Sequence, residues 1–142
     1  MDENEISDVT PLSNLENLQW LHLDENAISD ITPLSNLKNL EILFLNNNAI
    51  SDLDSLTDLE NLWQLGLDDN LIEDITPLKE LSLMDMYIRL NGNKFNDDDT
   101  INYLRNSGAI VDYDPEERNW EEDETETLAP DEEETEDPGK PE

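Results

Sequence analysis

Apolar residues return at the same phase every 22 residues along most of the chain. The segment Leu40–Asn61 aligns with Leu18–Asn39 before it and with Leu62–Ser82 after it, and Ile6–Asn17 is a truncated first copy. Each full copy keeps the same seven apolar positions, which in the first are Leu18, Leu21, Leu23, Ile28, Ile31, Leu34 and Leu37. Such a period predicts a repeat protein whose units bury their apolar side chains only by stacking on one another.

Each copy begins with a short strand and then turns back. In Leu21-His22-Leu23 apolar and polar residues alternate, so the leucines point inward and the side chains between them point outward. A Thr-Pro-Leu segment, present around Pro33 and Pro77, starts a tight 3₁₀ or short α turn on the opposite side. An asparagine ends each strand segment, and its amide can pair backbone groups that the turn leaves without partners. We therefore predict a structural role for Asn26, Asn48, Asn70 and Asn93.

The combined pattern, L-x-x-L-x-L-x-x-N-x-I with a following D-I-x-P-L, resembles the 22-residue leucine-rich repeats of bacterial internalin-type proteins over residues 6–113. The resemblance implies an α/β leucine-rich-repeat solenoid with a short parallel β-sheet on its concave face and 3₁₀ or short helical turns on its convex side. It also implies a protein partner on the concave face, in a family whose members are often secreted or surface-attached. Two departures stand out: Asp54-Ser55 replaces Thr-Pro, and Asn93 follows Asn70 by 23 positions.

The two ends of the repeat array differ. After Phe95 the pattern stops, and Asn96 or one of the three aspartates after it can cap a helix that places Ile101 and Leu104 on one face. Gly108 fits the position past the end of that helix, and Ala109–Tyr113 has the pattern of a strand. This helix and strand resemble an internalin-type C-terminal cap, so we predict about four coils and a cap within residues 1–114.

The N-terminal end offers two interpretations. Either the chain begins inside a longer protein, which we favour, or the half-coil containing Ile6, Val9, Leu12 and Leu15 is a minimal cap. The first interpretation predicts an open edge strand near Trp20. The first ten residues contain no recognisable signal peptide.

Charge narrows the classes of partner. The chain has 38 acidic and 7 basic residues, a net charge of −31. Binding to nucleic acid or to an anionic membrane is excluded because clustered Lys and Arg are missing, and no apolar run is long enough to insert into a bilayer. Residues 1–113 carry a net charge of −18 and residues 114–142 one of −13. We predict that 115–142 form an acidic disordered tail or linker, because this segment has too few apolar residues to form a core.

The outward positions of the strands are the candidate binding surface. Aromatic or large apolar side chains that have no core to fill supply contact area to a partner at low entropic cost. The alternative is that they are isolated surface residues of the ordinary kind. The predicted partner-binding residues are Trp20, His22, Ile42, Phe44, Gln64, Asp68, Tyr87 and Arg89.

A row of polar pairs follows the same strands, at Asp24-Glu25, Asn46-Asn47 and Asp68-Asp69. Calcium takes such carboxylate and amide oxygens, but we favour a solvated rim that steers a basic partner, and we predict no metal or other cofactor. The single histidine and the shallow face argue against catalysis, and the lack of cysteine excludes a disulfide framework and a thiolate metal site. A protein-interaction module is the favoured function. The alternatives are a structural spacer or scaffold domain of a larger surface protein, and an intracellular regulatory subunit.

Overall fold

The protein is described by a computed structural model over residues 4–117. Three strands recur with the predicted period of 22 residues, β1 (Trp20–His22), β2 (Ile42–Phe44) and β3 (Gln64–Gly66), and β4 (Tyr87–Arg89) follows after 23 residues, in line with the longer spacing from Asn70 to Asn93. A fifth strand, β5 (Ile110–Asp112), extends the sheet, and all neighbours are parallel in the order β1-β2-β3-β4-β5. Residues one coil apart lie side by side, as in Leu21 beside Leu43 and Leu43 beside Leu65. The predicted stacking of the repeats is thereby confirmed.

The core is a column of leucines and isoleucines inside the coils. Leu23, Leu45 and Leu67 are fully buried, as are the isoleucines that follow each asparagine. Leu18 departs from the apolar column, because it is only half-buried at the N-terminal end. Burial of this column is the main driving force that holds the coils together.

Short 3₁₀ helices form the convex side, as predicted. They span Thr10–Leu12, Thr32–Leu34, Asp54–Leu56 and Thr76–Glu80. In three of them proline stands in the first two positions, where its fixed φ suits the turn and its missing N–H costs nothing. Asp54–Leu56 makes the same turn without proline, so the departure noted in the sequence does not change the fold.

The C-terminal part contains a helix, α1 (Asp98–Asn106), followed by β5. The Asp97 side chain accepts a hydrogen bond from the Thr100 amide and caps the helix, which buries Ile101 and Leu104. Gly108 adopts a φ of +105°, and β5 pairs with β4. That this helix and strand serve as the cap of the solenoid stays a prediction. The predicted boundary near Asp114 also remains untested, and residues 118–142 of the predicted tail lie outside the described residues.

At the N-terminal end β1 is the edge strand of the sheet within residues 4–117. Residues before it follow the path of a coil, since the Ala27 amide donates to the Ile6 carbonyl and Val9 is buried. Leu15, which belongs to the half-coil considered as the alternative minimal cap, is 48% exposed. A shallow apolar depression of about 180 Å³ remains beside Ile6 and Leu12.

Candidate functional site

The outward side chains of the five strands make a face three residues deep, which we call the concave face. Its first row follows the strand starts and contains Trp20, Ile42, Gln64, Tyr87 and Ile110. The middle row contains His22, Phe44, Gly66, Arg89 and Asp112. A third row lies two residues further, just past the strand ends, at Asp24, Asn46, Asp68, Asn91 and Asp114. All eight predicted partner-binding residues belong to these three rows.

The first row is mainly apolar and exposed at both ends. Trp20 is 65% exposed and Ile110 is 59% exposed, whereas Ile42, Gln64 and Tyr87 between them are half-buried. Ile110 was not among the predicted binding residues, because β5 lies outside the repeat, although the alternation in Ile110-Val111-Asp112 signals its outward direction. The strand pairing brings all five side chains into one line along the stacking axis.

Aromatic rings form the middle row at its N-terminal end. The His22 and Phe44 rings lie 4.8 Å apart, measured between ring centroids, at an angle of 57°. Gly66 follows in the row, and a β-carbon there would stand 3.0 Å from Phe44 Cδ1 and 2.8 Å from Asn46 Nδ2. The missing side chain of Gly66 therefore leaves room for Phe44 and Asn46 to lean over β3.

An ion-pair network occupies the other end of the middle row. Arg89 places Nη2 at 2.6 Å from the Asp68 carboxylate and Nε at 3.8 Å from the Asp112 carboxylate. Tyr87 and Asn91 both donate hydrogen bonds to Asp112. Arg89 is thus held in place by two carboxylates and is no unbalanced positive charge on the face.

Inside the coils the four predicted asparagines form a continuous set of hydrogen bonds, which we call the inner ladder. Asn70 is typical: its Nδ2 lies within 3.2 Å of the Leu45, Leu67 and Asp68 carbonyl oxygens, and its Oδ1 accepts from the Ile50 amide at 3.0 Å. Asn48 and Asn93 repeat these contacts in their own coils. Asn26 donates to the Leu23 and Asp24 carbonyls and accepts from the Ile6 amide. Each asparagine thus joins its coil to the preceding one.

The third row of the concave face contains a second set of hydrogen bonds, which we call the outer ladder. Asp24 Oδ1 accepts from the Asn46 amide at 2.7 Å, and Asn46 Oδ1 accepts from the Asp68 amide at 2.7 Å. Asp68 and Asn91 continue it, accepting from the amides of Asn91 and Asp114. Either Asp or Asn can occupy this position, because the ladder needs only one acceptor oxygen from each coil and both side chains supply it.

The outer ladder changes the interpretation of Asp68. We predicted that Asp68 is presented to a partner, but its side chain is buried, since it accepts from the Asn91 amide and pairs with Arg89. Burial raises the pKa of the Asp68 carboxyl, against the opposing effects of the Asn91 hydrogen bond and of Arg89. Asp68 therefore belongs to the framework under the concave face more than to its outer surface.

The ladder also bears on the oxygens considered for calcium. Asp24, Asn46 and Asp68 each direct one oxygen to a backbone amide of the next coil. Within residues 4–117, no three acidic or histidine side chains are placed to hold a metal ion together. A shallow polar depression of about 300 Å³ lies at this edge of the face, with Glu25, Asp69 and Arg89 among its lining residues.

Between the two ladders every coil has one residue with a left-handed backbone. These are Glu25, Asn47 and Asp69, with φ between 56° and 60°, and Gly92, with φ of 74°. Glu is an unusual residue for this conformation, which costs an L-residue other than glycine about 1 kcal/mol or more. The backbone reversal here directs the inner-ladder asparagine into the coil.

Sequence reasoning missed several exposed or bonded positions. Trp63, just before β3, is 49% exposed, and Met84 is 73% exposed, although neither lies in the three rows. Asn39 and Asn61 donate from Nδ2 to the Glu16 and Lys38 carbonyl oxygens at 2.8 Å, which adds a third link between coils. The recurrence of asparagine before each leucine that opens a repeat was the available signal for this link.

Comparison with known proteins supports the repeat assignment. The sequence matches the family described as Leucine Rich repeats (2 copies) over residues 16–58 and again over 38–80. Comparison with curated proteins gave no match. None of the described helices is long and apolar enough to cross a membrane.

Solved structures of internalins are similar to this chain. Internalin C2 of Listeria monocytogenes is 40% identical with a TM-score of 0.70, and the alignment covers 78% of this chain and 48% of that one. The internalin InlF of the same species is 33% identical with a TM-score of 0.68, covering 78% and 34% of the two chains. A leucine-rich-repeat protein of Leptospira interrogans, 22% identical with a TM-score of 0.61 over 80% and 31% of the two chains, supports the fold alone.

The protein thus spans about half of the first of these structures and about a third of the other two. The repeat period, the parallel five-stranded sheet and the similarity to the two listerial structures agree with one another. The chain belongs to the internalin-type leucine-rich-repeat proteins of bacteria.

Proposed function

We propose that this chain is a protein-interaction module that binds a protein partner through its concave face. The observation that carries the proposal is the first row, in which Trp20 and Ile110 are exposed and in line with three half-buried side chains. Large apolar side chains that stay mostly in water add little to the stability of the fold, but they supply contact area to a partner. Catalysis has less support, because such solenoids typically serve as binding modules.

The charge of the face supports a partner that is not acidic. Glu25, Asp69 and Asp114 are exposed at its strand-end edge, whereas Arg89 is paired with Asp68 and Asp112. Residues 1–113 carry a net charge of −18, which speeds the approach of a basic partner and slows that of an acidic one. We therefore propose a partner with a basic or apolar patch.

Selection from a library of displayed peptides and small domains tests the proposal. The selected binders are then measured against the double variant Trp20→Ala/Phe44→Ala, which is expected to weaken binding at least about tenfold by removing two aromatic contacts. The control is Tyr103→Ala, which removes an exposed aromatic side chain on α1, outside the concave face. Circular dichroism melts of all variants check that the fold is retained.

Two results would contradict the proposal. Binders that tolerate Trp20→Ala/Phe44→Ala as well as they tolerate Tyr103→Ala would bind elsewhere. A library that yields no binder to the unmodified protein would speak for the alternative function, in which the solenoid only separates or positions other domains.

A further inference from the structure

The concave face is amphipathic across its strands. Its strand-start edge is the apolar first row, from Trp20 to Ile110. Its strand-end edge carries the exposed carboxylates of Glu25, Asp69 and Asp114. The two edges run parallel to each other along the stacking axis, so a ligand lying along that axis meets apolar groups on one side and negative charge on the other.

The backbone of the sheet restricts what such a ligand can be. Within the face, the N–H and C=O groups of β2, β3 and β4 bond to neighbouring strands on both sides. A ligand on the face therefore finds no backbone partner and contacts side chains alone. An extended peptide laid there would leave its own backbone groups without partners, which is costly away from water, whereas an α-helix pairs its backbone internally.

The dimensions fit a helix. A three-residue strand is about 10 Å long, close to the diameter of about 10 to 12 Å of a helix with its side chains. Five strands spaced about 4.8 Å apart span about 19 Å, the length of about 13 helical residues. Positions i and i+3 of a helix differ by about 4.5 Å along its axis, so successive anchors on one helix face meet successive strands.

We propose that the segment bound by the concave face is a basic amphipathic α-helix lying across the strands. Its apolar stripe packs on Trp20, Ile42 and Ile110, and its Lys and Arg side chains lie over the carboxylates at the strand-end edge. This binding mode is a helix laid in a groove, read by anchors at i, i+3, i+4 and i+7. The inference rests on the proposed function and specifies the chemistry of the partner.

A synthetic peptide of about 14 residues is the probe, with leucines at i, i+3, i+4 and i+7 and lysines on the adjoining face. One control peptide has the same composition but places leucine and lysine in alternation, and a second differs from the probe only by a central proline in place of an alanine. A third replaces every lysine by glutamate. Binding is measured by fluorescence anisotropy, and helix formation on binding by circular dichroism.

Protein variants locate the contact. Glu25→Gln/Asp69→Asn removes two charges from the strand-end edge. It is expected to lower the affinity for the helical peptide by about five- to tenfold, because two exposed charge contacts are lost. The matched control, Glu60→Gln/Glu73→Gln, removes two exposed charges outside the face and is expected to leave affinity nearly unchanged. Trp20→Ala is expected to lower the affinity for the same peptide, because it removes an apolar contact at the strand-start edge.

The outcomes separate the two proposals. If the alternating or proline-containing peptide binds as well as the helical one, or if the helical peptide does not bind, the inference is wrong. The library selection still tests separately whether the concave face binds a protein partner. If Glu25→Gln/Asp69→Asn and Glu60→Gln/Glu73→Gln lower the affinity for the peptide equally, the peptide is attracted by the net charge alone and the inference is also wrong. If Trp20→Ala leaves the affinity of the peptide unchanged and Trp20→Ala/Phe44→Ala leaves that of the selected binders unchanged, both proposals are wrong.

Discussion

The two edges of the concave face show how one repeating pattern serves two purposes. At the strand-end edge Asp24, Asn46 and Asp68 use their oxygens to hold the next coil, so these polar side chains are part of the framework. At the strand-start edge the Trp20 and Ile110 residues are 65% and 59% exposed, so most of their surface is open to solvent. Outward direction alone therefore does not make a residue available to a partner. Substitutions of the ladder residues at the strand-end edge should therefore cost stability, and those of the exposed apolar residues at the strand-start edge should not.

The largest effect is expected for the inner ladder beneath the strand-end edge. Asn70→Ala removes contacts to four backbone groups of two coils in a fully buried place. We expect a loss of about 3 kcal/mol in the free energy of unfolding, because buried backbone groups lose their partners. Urea unfolding measures it. The matched control, Trp20→Ala at the strand-start edge, should stay within about 0.5 kcal/mol, and equal losses would contradict the comparison.

A smaller loss is expected for the outer ladder. Asp68→Ala leaves the Asn91 amide without its acceptor and should lower the free energy of unfolding by about 2 kcal/mol. Asp68→Asn keeps an oxygen at the same place, as Asn46 and Asn91 do in their coils, and should cost clearly less. If the two variants were equally unstable, the pairing with Arg89 would be the main contribution of Asp68, and the ladder a minor one.

Substitutions at the positions with a left-handed backbone are expected to change the stability in opposite directions. Gly92→Ala places a β-carbon against the Asp69 side chain at a φ of 74°, and should cost about 1 kcal/mol or more. Glu25→Asn puts a residue that tolerates this conformation at φ of 60°, and should stabilise by about 0.5 kcal/mol. Thermal melts compare both with the unmodified protein. A destabilised Glu25→Asn variant would show that the Glu25 side chain makes a contact worth more than the backbone strain.

Much of the fold could be predicted from the sequence, because the period fixes which side chains face inward. Leu21, Leu43 and Leu65 line up as the pattern requires, and the positions of strands and 3₁₀ turns follow from the same phase. The double hydrogen bonding of the inner ladder was also within reach, since only an amide both donates and accepts. These features repeat in every coil and depend on local chemistry.

The candidate site was harder to predict, because alternation gives the direction of a side chain but not its partners. Asp68 points outward, yet the Asn91 amide one coil further on needs an acceptor and Arg89 lies beside it, so Asp68 is buried. The exposed Trp63 lies just before β3, where the period-two rule does not apply. Ile110 comes from β5, which follows α1 and lies outside the repeat. Such contacts depend on the stacking of particular coils and not on the consensus.

The smallest expected effect is a difference in pH dependence of stability between carboxylates on the convex side and the buried carboxylate of Asp68 beneath the concave face. The pKa of Asp30 is lowered by hydrogen bonds from Thr32, chiefly from its amide and then from its hydroxyl. The pKa of Asp74 is lowered in the same way by Thr76, chiefly by its hydroxyl and then by its amide. A lowered pKa means that the stabilisation is present above the unfolded value of about 3.9 and is lost as pH falls through the folded pKa. For Asp68, whose pKa burial raises, the sign is reversed: its contribution is greatest below about pH 3.9 and declines as pH rises through the raised pKa.

Unfolding midpoints measured between about pH 3 and pH 6 separate these signs. The advantage of the unmodified protein over Asp30→Asn should shrink as pH falls, because the asparagine keeps an acceptor but has no charge to lose. The difference between the unmodified protein and Asp68→Asn should move the opposite way, toward the variant, as pH rises across the same interval. If both differences changed in the same direction, the burial of Asp68 would not control its ionisation, and the strand-end edge would be as open to solvent as the convex turns.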